Sequence, residues 1–246
     1  MPNFFIKNSQ IKDDRIEVTG DLLKHLLGSL RIKIGERIVF VDEDKNRYLV
    51  AVTHAGKDSI TGNIIDKTVL IRKHGVSINL VQAIPKGPKF DYIIQKSTEL
   101  GVSAITPVIS ERCVVRPEKE QAQAKLLRWR RIALEAAQQS NRRDVPEIKT
   151  PVTFTEFLTS YGKVDLKILL WEGEKEHGIK DILKNTKDVK SVAVVIGPEG
   201  GFSENEVKIA VEKGFTSVSL GESILRTETA PIVILSIILY ELGLLI

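Results

Sequence analysis

The sequence predicts an α/β protein in which a small β-barrel domain, residues 1–73, precedes a mostly parallel sheet with helices on both faces, residues 74–246. Three observations carry that reading. Short β-type runs separated by turn residues fill the first 72 positions. Beyond Arg72-Lys73-His74-Gly75 the pattern changes to alternating strand and helix signals. Within that second part, SVAVVIGPEGGFSENEV (191–207) reads as a buried strand, a glycine-rich loop and a helix start.

In chain order, FFIK, RIEV, ERIVFVD, RYLVAV and SITGNII are the strands of the first domain. Asp13-Asp14, Asp42 to Asn46 and Gly56 to Ser59 are turn-forming. Asp21 to Leu30 interrupts them as a helix, with Leu22, Leu23, Leu26, Leu27 and Leu30 at helical spacing. In the second domain VSINLVQAI is a strand. Phe90, Ile93, Ile94, Ser97 and Leu100 form a helical stripe that stops at Gly101. AITPVI and CVV are expected as strands, followed by a long helix from Glu118 to Arg142. Thr153 and Glu156 have capping-box spacing, DLKILLW is a buried strand, and a helix is expected around Gly178 to Leu183. Ser203 and Glu206 repeat the capping box; that helix ends near Gly214, and TSVSL is the last strand. The apolar run Pro231 to Leu239 is too short for a membrane span and reads as a buried terminal helix.

Composition narrows the function classes. With 246 residues, 42% hydrophobic and 28% charged, the chain has the balance of a soluble globular protein. The N-terminus has no basic segment leading into an apolar core, so no secretory signal is expected. The lone Cys113 excludes an internal disulfide and fits a reducing, cytoplasmic setting; it reads as a packed thiol rather than a nucleophile. Four scattered histidines and one thiol give no zinc spacing, so no metal is expected. Charge is unevenly placed: residues 112–143 hold nine Lys/Arg against three acids, a larger surplus than the +4 of the whole chain. Such a patch suits a polyanion such as RNA, or is a solvated helix face. Lys24, His25, Arg31 and Lys33 form a second basic group on the barrel.

The chemistry is expected where loops leave the carboxyl ends of parallel strands. Three qualify: Trp171-Glu172-Gly173, Gly197 to Gly201, and Gly221 to Thr229. GPEGG has neither the dinucleotide G-x-G-x-x-G spacing nor a P-loop lysine, and reads either as a tight turn or as a bare backbone against which a flat ring and ribose can lie. Arg226 is placed either to hold an anion or to form an ion pair with Glu222 or Glu228.

IGPEGGFSENEV (196–207) and SLGESILRTETAP (219–231) together resemble the signature of the RsmE family within the SPOUT class of RNA methyltransferases. PKGPKFDYIIQKSTELGV (85–102), ERCVVR (111–116) and RWRRIALEAAQQSNR (128–142) are similar to the same family's other blocks, in the same order. The resemblance implies a PUA-like, RNA-holding barrel and a SPOUT domain closed by a C-terminal trefoil knot, where pattern alone predicts an open doubly wound sheet. It implies S-adenosyl-L-methionine as cofactor, N3 of one uridine of 16S rRNA in the small ribosomal subunit as target, and a homodimer with the terminal helix at its interface. Carried onto this sequence, the cofactor pocket is Leu170, Glu172, Ile196, Gly197, Gly200, Gly201, Leu220, Gly221, Leu225 and Thr227. Arg226 would stabilise charge on the base and Glu228 would accept its proton. Lys24, Arg31, Arg112, Arg116, Arg128, Arg131 and Arg142 would hold RNA. Asn3 stands where the family usually has arginine, Asn141 where glycine is common, and Pro231 in place of a small helix former. Two other readings are weighed. Ribose 2′-O methylation would bring an N-x-G-x-x-x-R block, which is absent. A non-catalytic RNA-binding or ribosome-assembly module predicts a degraded cofactor loop, whereas GPEGG and ILRTETA are intact.

Overall fold

A computed structural model describes residues 2–69, 75–184 and 188–244. The expected boundary between residues 73 and 74 lies outside them. The described residues belong to two compact units, one within Met1–Lys73 and Ala137–Asp144, the other within His74–Ala136 and Val145–Ile246.

In the first unit, β1 (Asn3–Phe5), a 3-10 turn (Asn8–Gln10), β2 (Ile11–Lys12) and β3 (Arg15–Val18) lead into α1 (Gly20–Gly28). β4 (Arg37–Val41), β5 (Arg47–Ala55) and β6 (Ile60–Thr68) follow. The six strands lie in the order β1-β4-β5-β6-β3-β2; β1 runs parallel to β4 and the other pairings are antiparallel. Tyr48, Val50 and Val52 alternate inward along β5 and pack on Phe4, Ile16 and Leu26, as period-2 patterning requires. The helix expected to reach Leu30 stops at Gly28: Leu30 is exposed, and Arg31 has φ +52 as the chain reverses. Asn3 is fully buried and its Nδ2 donates to Arg142 O at 2.9 Å, so it is a core residue.

The second unit begins with β7 (Ser77–Ala83), α2 (Lys89–Glu99), β8 (Ala104–Ile109) and α3 (Lys119–Gln139), whose last residues belong to the first unit. It continues with β9 (Glu147–Ile148), β10 (Val152–Thr153), α4 (Phe154–Ser160), β11 (Leu166–Leu170) and α5 (Ile179–Leu183). β12 (Ser191–Ile196), α6 (Glu204–Glu212), β13 (Thr216–Val218) and α7 (Ala230–Glu241) complete it. The sheet runs β10-β8-β7-β12-β11-β13, with β9 beside β8, and every pairing is parallel.

β12 shows why its sequence is an unbroken apolar run. Val192, Val194 and Ile196 face a core shared with α2, α3 and α7, through residues such as Ile93, Trp129 and Ile234. Ala193 and Val195 face a second core with Phe154, Phe157 and Val207 of α4 and α6. Neither face meets water, so neither can be polar. Both capping boxes form: Thr153 Oγ1 accepts from Glu156 N at 3.2 Å, and Ser203 Oγ from Glu206 N at 3.3 Å.

Some expectations are corrected. CVV (113–115) is a turn and loop: Cys113 N donates to Ser110 O at 3.2 Å, the thiol is buried, and Val114 is exposed. The two-residue strands β2, β9 and β10 carry too few residues to show a period and were not foreseen. Among the described residues no helix is long and apolar enough to cross a membrane.

α3 ends at Gln139 rather than Arg142 because Asn141 turns left-handed, with φ +57. Arg142 N then reaches back to Ala137 O at 3.0 Å, the bond that closes a Schellman cap. Asn141→Gly is therefore expected to leave stability unchanged or slightly raised. Asn141→Val should lower it by about 1–2 kcal/mol, read as a shift of the urea midpoint at unchanged slope.

Candidate functional site

β11, β12 and β13 run parallel, with Leu169 beside Val195 and Leu170 beside Val218, so their carboxyl ends open on the same edge. The loops that leave them enclose a cavity of about 540 Å³. Leu170, Ile196, Val218, Leu220 and Leu225 give it an apolar lining, while Glu172, Glu199, Glu222, Arg226, Glu228 and Lys89 supply charge. All ten residues expected to hold the cofactor, together with Arg226 and Glu228, lie on its walls.

The glycine loop is shaped by close contacts. Gly201 N donates to Pro198 O at 3.0 Å, closing a turn, and Gly201 itself has φ +66. A Cβ on Gly201 would fall 2.1 Å from Glu172 Oε1, and one on Gly197 would fall 3.2 Å from the Gly201 backbone. Bare backbone is what lets these walls approach. Phe202, 1% exposed, anchors the loop in the core with its ring centroid 4.8 Å from that of Phe154. Arg112 Nη1 donates to Gly200 O at 2.8 Å. Glu111 accepts from Ser203 Oγ at 2.7 Å, and its own N–H donates to Glu206 Oε1 at 2.8 Å. The 110–116 segment is thus bonded to the start of α6.

Thr227 is 7% exposed, and its hydroxyl donates to Gly197 O at 2.8 Å. Its side chain is spent on the protein, so what it offers the cavity is backbone. Arg226 is exposed and its guanidinium has no hydrogen bond or ion pair among the described residues; the alternative pair with Glu222 or Glu228 does not form. The cation that meets Glu228 is Lys89, with Nζ 3.8 Å from Oε2, and Lys89 also binds Glu199 at 2.8 Å. The Glu199 hydrogen bond raises the Lys89 pKa above its ordinary value. Burial alone would raise Glu199, but Lys89 and the backbone N–H groups of Glu199 and Lys86 hold it below its ordinary value. Glu228 Oε2 is buried and accepts no hydrogen bond among the described residues.

The basic residues expected on RNA separate into groups. Lys24 pairs with Asp21, Arg128 with Asp91 and Arg131 with Glu135, all with well-exposed cations. Arg31 is exposed in its left-handed turn, and Arg116 Nη2 donates to Glu111 O at 2.8 Å. Arg142 is the correction: its side chain is 12% exposed and its guanidinium is bonded to Asp144, so it is not presented to a phosphate.

Sequence reasoning missed Gln82 and Lys89, and the pairing of Lys89 with Glu199 of the glycine loop. Gln82 carried one signal, an amide in the middle of the apolar strand LVQAI. The Lys89–Glu199 pair joins residues 110 apart and carried none.

An RNA methyltransferase domain model matches residues 72–239, and an RNA methyltransferase PUA domain model matches residues 18–65. The chain is 32% identical to ribosomal RNA small subunit methyltransferase E of Bacillus subtilis over all of its own length and 98% of that protein. It is 37% identical to the protein of that name in Aquifex aeolicus, over 85% of this chain and 87% of the relative. Among solved structures, ribosomal RNA small subunit methyltransferase E from Neisseria gonorrhoeae bound to S-adenosyl methionine superposes with a TM-score of 0.85 at 31% identity, covering 98% of this chain and 97% of that one.

A methyl group at position 201 tests the glycine wall. Gly201→Ala should cost about 1–2 kcal/mol in urea unfolding, chiefly from the left-handed backbone, since the Glu172 carboxylate can swing aside. If so, adding Glu172→Ala recovers little of the loss; full recovery would make the clash, not the backbone, the controlling term.

Proposed function

The chain belongs to the ribosomal RNA small subunit methyltransferase E family, and we propose that it methylates N3 of one uridine of 16S rRNA with S-adenosyl-L-methionine as donor. One observation carries the placement of the reaction: three strand-end loops enclose a cavity whose wall holds an arginine with no hydrogen bond or ion pair among the described residues. The residues fit the donor. About 540 Å³ lies in the range of small-molecule sites, and the apolar lining suits an adenine ring. The glycines at 197 and 201 let the loop close tightly on Phe202 and Glu172, and Leu220 and Leu225 give the ribose and ring an apolar wall to lie against. When bound, S-adenosyl-L-methionine supplies a methyl group made electrophilic by its sulfonium.

The chain must do the rest. Uracil N3–H is a weak acid, so methylation at neutral pH requires the negative charge that develops on N3, O2 and O4 to be stabilised. Arg226 is the donor for that charge. Glu228 takes the N3 proton: its Oε2 has no competing hydrogen bond among the described residues, and Lys89 at 3.8 Å offsets the charge it carries beforehand. The uridine is turned out of any stack to reach the cavity. Arg112, Arg116, Arg128 and Arg131 contact phosphates, with the PUA region and its Lys24 and Arg31 as a second RNA-holding surface.

The domain assignment belongs to the same proposal, with residues 1–73 holding RNA and residues 74–246 catalytic. A trefoil knot in the second part is supported by the sheet order, in which β12 lies between β7 and β11 while β13 lies outside β11. A homodimer through α7 is supported by half-buried Ile232, Val233 and Ile237 and by Tyr240, which is 73% exposed. A cytoplasmic location follows from the ribosomal substrate.

The reaction is tested by incubating labelled S-adenosyl-L-methionine with small ribosomal subunits that lack the modification, then identifying the digested nucleosides by mass. 3-Methyluridine at one site is the expected product; a 2′-O-methyl nucleoside would overturn the chemistry. Arg226→Ala should lower kcat roughly 100- to 1,000-fold with cofactor affinity unchanged. Unchanged turnover by the folded variant would remove Arg226 from its role.

A further inference from the structure

Gln82 is a polar side chain in the wrong place for stability. It sits on β7 beside Ile196 of β12, and it is 0% exposed. Its Nε2 lies 3.0 Å from Ala83 O, 3.1 Å from Thr227 Oγ1 and 3.3 Å from Gly197 O. The Thr227 hydroxyl donates a hydrogen bond to the same Gly197 carbonyl at 2.8 Å. The amide therefore ties together a strand, the first residue of the glycine loop and the loop that carries Arg226. Its Oε1 is buried with no hydrogen-bond partner among the described residues. An orphaned buried acceptor is unfavourable, and an apolar side chain of similar shape would avoid that penalty. What the amide adds is the fixed position of two loops.

We propose that Gln82 is a positioning residue for the cofactor site: through Thr227 it fixes the Gly197 loop against the Arg226 loop and sets the cavity wall before any ligand arrives. The inference rests on the proposed function, since the cavity is taken as the S-adenosyl-L-methionine site. Gln82 is not among the residues lining the cavity, so its effect reaches the ligand only through Gly197 and Thr227. Two hydrogen bonds meeting on one carbonyl form a unit, and removing either member should loosen the same junction.

The experiment measures binding of S-adenosyl-L-methionine and of S-adenosylhomocysteine by calorimetry, alongside thermal unfolding and turnover. The chains compared are the wild type, Gln82→Leu, Thr227→Val, Thr227→Ser and the Gln82→Leu/Thr227→Val double variant. Gln82→Leu should unfold at the wild-type temperature or above while binding both ligands roughly tenfold more weakly. Its cofactor KM should rise by a similar factor, with kcat at saturation reduced much less. Thr227→Val should show the same split, Thr227→Ser should restore binding, and the double variant should bind no more weakly than the weaker single one. Folded Gln82→Leu that binds as the wild type does, or a double variant whose losses multiply, overturns the inference. Should Gln82→Leu fail to fold, undiminished binding by Thr227→Val overturns it equally. Failure of the wild-type chain to bind the cofactor overturns the functional reading and this inference with it. Normal wild-type binding with undiminished variants overturns the inference alone.

Discussion

Burial of β12 on both faces, with a parallel neighbour on each edge, is the constraint on which the rest of the second unit depends. A strand so placed has no polar face, and its backbone groups are taken by β7 and β11. Strand pairing stops at Ile196, which already lines the cavity, and the loop that shapes the wall begins at Gly197. Because β11 and β13 run the same way, their loops stop on the same edge, and a cavity follows from the topology without any further device. The side chains that shape it are then local matters: a glycine where two walls approach, a phenylalanine that anchors one loop, a threonine that ties one loop to the next.

How far this could be read from sequence depended on the range of each interaction. The two capping boxes are contained in four residues each, and Thr153–Glu156 and Ser203–Glu206 both form as their spacing indicates. The apolar run of β12 is legible because burial on two faces acts on every residue of the strand. Asn141 stands where glycine is common because asparagine also tolerates the left-handed turn, and its φ of +57 uses that tolerance. CVV reads as a strand because β-branched residues suit one, and nothing in three residues shows that the Cys113 thiol fills a turn instead. The Lys89–Glu199 pair and the Gln82 junction join positions more than 100 apart, where only the fold brings the groups together. The proposed knot would be equally hidden, since the pattern of elements is identical in a knotted and an open sheet.

The basic residues show why charge counting goes only part of the way. A surplus of cations between residues 112 and 143 is real, yet each cation has its own fate. Arg131 and Arg128 meet carboxylates near the surface, where an ion pair is worth at most about 1 kcal/mol and exchanges readily for a phosphate. Arg142 is mostly buried against Asp144, and drawing it out would strand a charge. Arg112 is bonded to the Gly200 carbonyl, so a phosphate would have to compete with the glycine loop for it. Composition gives these residues one sign; their partners give them different availability.

Within the cavity the same logic concerns which charge is left over. Three carboxylates, Glu199, Glu222 and Glu228, lie in the loops around Arg226, and any of them could have neutralised it. Lys89, arriving from α2, binds Glu199 directly and stands 3.8 Å from Glu228. Glu222 makes no ion pair with Arg226 among the described residues, and the guanidinium remains exposed on the wall. A cation from outside the loops thus engages Glu199 and Glu228, and the arginine has no ion pair among the described residues. An arginine already paired would have to break one contact to make another as charge develops on a substrate. Left unpaired and held by the turn in which Thr229 N and Ala230 N bond to its carbonyl, it needs no such rearrangement.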